Sequence, residues 1–158
     1  MKSELIIAPI EKLEKKKIEI VKNNKKPGIY VSLNKSVRGL KKLFDKNKIK
    51  YDKIFFIDCV SSKKENPETL IIFPDQINNL EYAIKTFIDE IKGEKILIID
   101  ALSTLLIYNR ENEVAKFIKE IINYPNGNQT EIIALTPKIK GEELLNKIFD
   151  FFDRVEGK

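Results

Sequence analysis

Runs of isoleucine, leucine, valine and phenylalanine recur along the chain. They alternate with longer stretches in which apolar residues return every three or four positions. The runs at residues 4–10 (ELIIAPI), 27–33 (PGIYVSL), 52–60 (DKIFFIDCV), 69–74 (TLIIFP), 94–100 (EKILIID) and 130–137 (TEIIALTP) predict strands. A final strand is expected to begin near residue 153. The intervening stretches predict helices. Leu13, Ile18 and Val21 mark the first among many lysines, and Val37, Leu40, Leu43 and Phe44 the second, with Ser36 or Asn34 as its cap. Ile77, Leu80, Ala83, Ile84, Phe87, Ile88 and Ile91 form the clearest stripe, with Asp75 as its expected cap and Gly93 as its stop. Val114, Phe117, Ile118, Ile121 and Ile122 mark a further helix, and residues 141–152 a last one. Residues 102–108 read as a short apolar turn or helix, 61–68 as a polar loop and 125–129 as a tight turn.

The strand runs are continuously apolar rather than alternating. Strands of that kind are buried on both faces, which requires a mostly parallel sheet with helices on both sides. The expected fold is a three-layer α/β/α sandwich over residues 1–158, read as one domain. Its length of 158 residues suits one sizeable core. With 42% hydrophobic and 34% charged residues the class is soluble rather than disordered. No apolar run reaches the roughly 18–20 residues of a membrane span, and the first residues lack a signal-peptide pattern, so a cytoplasmic protein is expected.

Charge and titratable composition narrow the chemistry. The chain has no histidine, which removes the commonest general base near neutral pH. The single cysteine, Cys59, sits in an apolar strand and reads as an inert buried thiol. The net charge is +5, yet only Arg38, Arg110 and Arg154 among 29 basic residues are arginine. Such a lysine-dominated surface is poorly suited to reading bases, because bidentate contacts favour arginine.

In parallel sheets ligands bind at the carboxyl ends of the strands. The residues placed there are Pro9 and Glu11, Asn34 and Lys35, Asp58 and Ser61, Asp75, Asp100 and Ser103, and Thr136 and Lys138. Asp58 and Asp100 each close a long apolar run. Each reads either as a magnesium ligand or as a cap for the turn that follows; for Asp58 the cap is favoured.

The order of these features, and above all the segment ILIIDALSTLLIYN (residues 96–109), resembles the RecA superfamily and, within it, the archaeal KaiC-like proteins. The likeness runs from Gly28 to the end of the chain. It implies a RecA-like core with a mainly parallel sheet, and it puts Asp100 at the position of the Walker B aspartate, the candidate magnesium ligand. It also implies a phosphate-binding loop after the first strand, where glycines expose backbone N–H groups and a Lys-Ser/Thr pair holds phosphate and metal. Here that segment reads APIEKLEKKKIE, with no glycine and no such pair. Active members carry acidic residues after the second strand; this chain has Asn34 and Lys35. A lone aspartate binds magnesium poorly, because magnesium draws on substrate oxygens as well.

The expected function is therefore that of a non-catalytic RecA/KaiC-like domain, an interaction or regulatory protein without ATPase activity. No cofactor is expected. The expected partner is a protein, either another copy or an active KaiC-like ATPase, and no membrane is involved. The alternatives are a weak nucleotide binder, or a nucleic-acid binder using the lysines of residues 11–26 and 40–53. A receiver-type phosphoacceptor built on Asp58, Thr136 and Lys138 lacks the acidic pair it needs after the first strand. Arg110 reads either as a surface residue at a helix start or as a finger toward a neighbouring subunit.

Overall fold

The computed structural model describes residues 2–62, 69–124, 129–138 and 142–157. Its strands are β1 (Lys2–Ala8), β2 (Gly28–Ser32), β3 (Ile54–Asp58), β4 (Leu70–Ile71), β5 (Lys95–Asp100), β6 (Thr130–Pro137) and β7 (Arg154–Glu156). The helices are α1 (Ile10–Asn23), α2 (Val37–Lys46), α3 (Ile77–Glu90), α4 (Leu105–Tyr108), α5 (Glu111–Asn123) and α6 (Glu142–Ile148). The strands form one sheet in the order β4-β3-β2-β5-β6-β1-β7. Every pairing in it is parallel.

The continuous apolar runs become strands buried on both faces, as their pattern requires. Every residue of β2 and β5 is buried. One face of the sheet packs on α1 and α2, through Leu13 and Val21, Val37, Leu40 and Phe44, against Tyr30, Phe56, Ile96 and Ile98. The other face packs on α3, α5 and α6, through Leu80, Ile84, Phe117, Ile118 and Leu144, against Ile29, Val31, Leu97 and Ile99. Three layers result. At each such core position burial of a Leu, Ile or Phe side chain contributes about 1.5–3 kcal/mol. At the start of β2 the backbone passes so near β5 that a Cβ on Gly28 would lie 2.4 Å from the Ile96 carbonyl oxygen. Only glycine fits there.

Several boundaries differ from the sequence reading. The first strand covers residues 2–8, not 4–10, because Pro9 takes the N-cap position of α1 and Ile10 is already helical. Proline has no N–H to offer a strand ladder, and its fixed φ suits a helix start. Asp75 does not cap α3. The turn in which Gln76 N–H donates to the Phe73 carbonyl moves the cap to Gln76, and no side-chain bond closes it. At α2 Ser36, not Asn34, is the cap; its hydroxyl accepts from Gly39 N–H at 3.1 Å. The fourth strand keeps only Leu70–Ile71, at the sheet edge. In α1 the buried positions are Leu13, Lys17 and Val21, whereas Ile18 is only half-buried. The expected turn at 125–129 and loop at 61–68 fall largely outside the described residues. No described helix is long and apolar enough to cross a membrane.

Candidate functional site

Sheet register sets the geometry at the carboxyl ends of the central strands. Ser32, the last residue of β2, pairs with Asp58 of β3 on one side and Asp100 of β5 on the other. Strand spacing therefore puts the two aspartates about 10 Å apart across β2. Residues level with one another in parallel strands point to the same face. Both carboxylates, with Ser32 and Tyr30, face α1 and α2.

Asp58 is consumed by local structure. One carboxylate oxygen accepts from Val60 and Ser61 N–H, both at 2.8 Å. The other accepts from Val37 N–H at 2.9 Å and the Ser61 hydroxyl at 2.7 Å. It thus caps its own turn and supplies the negative charge at the amino end of α2. Burial alone would raise its pKa, but the bonds from Val37, Ser61 and Val60 outweigh that and hold it below the usual carboxylate value. The cap reading of Asp58 is the one its contacts support.

Asp100 has a different partner. The Lys17 ammonium, from the middle of α1, lies 2.6 Å from its Oδ2, and the two side chains are 2% and 1% exposed. The Tyr30 hydroxyl donates to the same oxygen at 2.7 Å. Burial, and then the Asp100 charge, push the Tyr30 hydroxyl pKa well above its ordinary value, so it stays a donor. The second oxygen, Oδ1, is buried without a hydrogen-bond partner among the described residues. The Asp100–Ala101 peptide bond is cis. A divalent cation at Asp100, even on Oδ1, would lie beside the buried ammonium held on Oδ2, which is unfavourable by like-charge repulsion. No group of three or more potential metal-ligating side chains occurs among the described residues.

The remaining strand-end residues do not converge on either carboxylate. Between β1 and α1 there is one residue, Pro9, and Glu11 is exposed in the first turn. Lys35 pairs with Glu14 at 3.8 Å, and its carbonyl accepts from the Ser32 hydroxyl. Asp75 is exposed, and Ser103 is half-buried. Thr136 is buried, its hydroxyl 3.4 Å from the Pro137 carbonyl, while Lys138 N–H donates to Ala8. Thr136 and Lys138 therefore belong to the β6 end of the sheet, three strands from Asp58 on β3. Cys59 is buried, and burial pushes its thiol up to about 12. Arg110 is exposed at the start of α5, where its N–H donates to Glu113.

Lys17 and Tyr30 are the site residues that pattern reading missed. A signal existed. Leu13, Lys17 and Val21 are spaced four apart, so Lys17 lies in the centre of the buried stripe of α1. Its position as the last of three consecutive lysines hid it.

An all-parallel sheet covered on both faces, with a strand-end aspartate in ILIIDALS, defines a three-layer α/β domain with a KaiC/RecA-like fold. Solved structures from Pyrococcus horikoshii share it. The KaiC-like protein PH0186 is 17% identical, with a TM-score of 0.65 over 86% of this chain and 62% of its own. PH0250 is 12% identical, with a TM-score of 0.66 over 98% of this chain and 79% of its own. The uncharacterized protein PH0321, solved in complex with an unknown peptide, is 12% identical, with a TM-score of 0.70 over 98% and 76%. This chain thus spans less than two thirds of the KaiC-like protein's length. No protein-family profile and no curated protein matches the chain.

Proposed function

We propose that this chain is a KaiC/RecA-like domain that works without hydrolysing ATP, as an interaction or regulatory protein. The observation that carries the reading is the Lys17–Asp100 pair: a buried internal cation stands on the aspartate that the family resemblance assigns to magnesium. The connection between β1 and α1 supports it. A phosphate-cradling loop needs several residues with free N–H groups, and Pro9 alone joins the two elements. In this reading Lys17 and Tyr30 make permanent the arrangement that a metal and nucleotide would otherwise assemble.

A protein partner is favoured by the distribution of exposed apolar residues. Ile10, Val60 and Phe73 are large, exposed and within two residues of a carboxyl strand end, and Ile107 and Tyr108 are exposed on α4, which follows β5; Phe55, Leu70 and Tyr82 are exposed elsewhere, on β3, β4 and α3. Asn109, next to Tyr108, donates to the Pro74 carbonyl at 2.8 Å, which brings the Phe73 and Tyr108 segments together. A group of exposed apolar residues brought together in this way is characteristic of protein contacts. The peptide seen with PH0321 is in keeping with a contact role for the fold. The partner is a second copy or an active KaiC-like ATPase.

Equilibrium dialysis of the protein with ATP and magnesium, together with a phosphate-release assay, tests the catalytic half of the reading. No binding at micromolar nucleotide and no release are expected. Micromolar binding or turnover lost on Asp100→Asn overturns it. Light scattering and a pull-down from the native host, repeated with Phe73→Ser and Tyr108→Ser, test the contact half.

A further inference from the structure

The net charge of this protein is not spread over its surface. Residues 21–26 and 46–53 hold seven lysines (22, 25, 26, 46, 48, 50 and 53) against one acid, Asp52. Their net charge is +6, whereas the whole chain carries +5, so all the other residues together sum to −1. The fold brings these two segments together. The first is the end of α1 and its exit to β2; the second is the end of α2 and its exit to β3. Both exits lie at the amino ends of the adjacent strands β2 and β3, the edge opposite Asp58 and Asp100. An open groove of about 270 Å³ there is lined by Val21, Lys25, Lys26, Lys50, Asp52 and Lys53, among others.

The groove is ordered, and its lysines outnumber the acids beside it, which are Asp52 in the groove, Glu131 paired with Lys26, and Asp45, which accepts from the Tyr51 hydroxyl at 3.0 Å. Asn24 braces the first exit, donating to the Lys26 carbonyl at 2.8 Å and accepting from Lys26 N–H at 3.2 Å. Gly28 N–H donates to the Lys53 carbonyl at 3.1 Å, joining the first exit to the second. Lys26 is half-buried and paired with Glu131 at 3.5 Å. The other six lysines are exposed, and among the described residues none has an ion-pair partner. Six point charges held on one edge create a field that favours a polyanion. Val21 and Ile54 line the groove, but none of the large exposed apolar residues does, so no protruding apolar side chain there is placed to insert into a membrane. Lysine ammonium groups contact phosphates well but do not read base edges bidentately.

We propose that the amino-terminal edge of β2 and β3 binds the phosphate backbone of nucleic acid without sequence preference, through Lys22, Lys25, Lys46, Lys48, Lys50 and Lys53. The surface is separate from the strand-end aspartates, so it stands or falls independently of the catalytic reading.

Fluorescence anisotropy with labelled mixed-sequence oligonucleotides, single-stranded and duplex, tests this across a salt series. Affinity should fall linearly on a log–log plot, by about 0.7–0.9 in slope per phosphate neutralised. Lys25→Glu/Lys50→Glu/Lys53→Glu should weaken binding roughly tenfold or more and flatten that slope. The control Lys12→Glu/Lys116→Glu/Lys119→Glu changes net charge equally at exposed positions elsewhere and should lose less than about threefold. Amide chemical-shift mapping on the unmodified protein gives the same answer without variants, with perturbations expected in residues 21–26 and 46–53. No binding at low salt, equal losses in the two triple variants, or perturbations confined to the carboxyl edge each overturn the proposal. So does binding to anionic vesicles or polyglutamate with none to the oligonucleotides.

Discussion

Asp58 and Asp100 occupy equivalent places on either side of Ser32, yet the structure treats them in opposite ways. Each anchors one of the two helices on the same face of the sheet. Asp58 holds α2 by its amino end, through a backbone N–H and two more from its own turn. Asp100 holds α1 by its middle, through the charged end of a side chain. The first anchor uses groups that would otherwise be unpaired at any helix start. The second depends on one particular lysine. A carboxylate satisfied by backbone donors tolerates loss of its charge, because N–H groups remain neutral whatever replaces it. A carboxylate satisfied by a buried ammonium does not, because the ammonium is left without a counter-charge.

The largest expected effect breaks the Asp100 anchor. Lys17→Met should destabilise the protein by about 3–5 kcal/mol in urea unfolding, since it strands a carboxylate that is 1% exposed. Adding Asp100→Asn to that variant should recover most of the loss, because neither charge then remains. If the double variant is no more stable than Lys17→Met alone, the pair is not the source of the penalty, and packing of the long lysine stem is.

The contrast sharpens at Asp58. Asp58→Ala should cost about 2–3 kcal/mol, the sum of a lost cap and an orphaned, buried Val37 N–H. Asp58→Asn keeps one acceptor oxygen but sets an NH2 against the donors of the other, and should cost about 1–3 kcal/mol, against about 3–5 kcal/mol for the same isosteric change at Asp100. Equal costs for the two asparagine variants would erase the distinction drawn between them.

These differences bear on what the amino-acid pattern reveals. The layers were legible because burial on two faces leaves continuous apolar runs such as KILIID, and the sheet proves wholly parallel. Asp58 was legible as a cap because its partners, Val60 and Ser61, are its immediate neighbours. Asp100 was recognised as special, but its partners are not local. Lys17 and Tyr30 reach it from other elements, 83 and 70 positions away in the chain, and a lysine in a lysine-rich helix gives no local sign of burial. The charge asymmetry was hidden for the same reason. Residues 21–26 and 46–53 each look like ordinary solvated helix ends, and only the β2–β3 pairing makes them one surface.

A smaller effect dissects the Asp100 anchor. Tyr30→Phe removes one hydrogen bond to a charged oxygen and should cost about 1.5 kcal/mol. Because Tyr30 and Lys17 donate to the same Oδ2, their effects should not add. A double-mutant cycle with Lys17→Met measures the coupling, and additivity within about 0.3 kcal/mol would show that the phenol and the ammonium act independently.

The smallest expected effect is the most specific, because it follows the charge on Asp58 rather than its shape. Its folded pKa lies below the unfolded value of 3.8. A carboxyl group with a depressed folded pKa contributes stability that is complete above the unfolded value and is lost as pH falls through the folded one. The stability gap between the wild type and Asp58→Ala should therefore be constant from about pH 7 to about pH 5, then narrow below about pH 4. Urea unfolding of both proteins across that range measures it directly. The opposite trend, a gap that widens as acid is added, would mean that the protonated carboxyl is the form the α2 terminus prefers. The bonds from Val37, Val60 and Ser61, all donated to the carboxylate, argue for the narrowing.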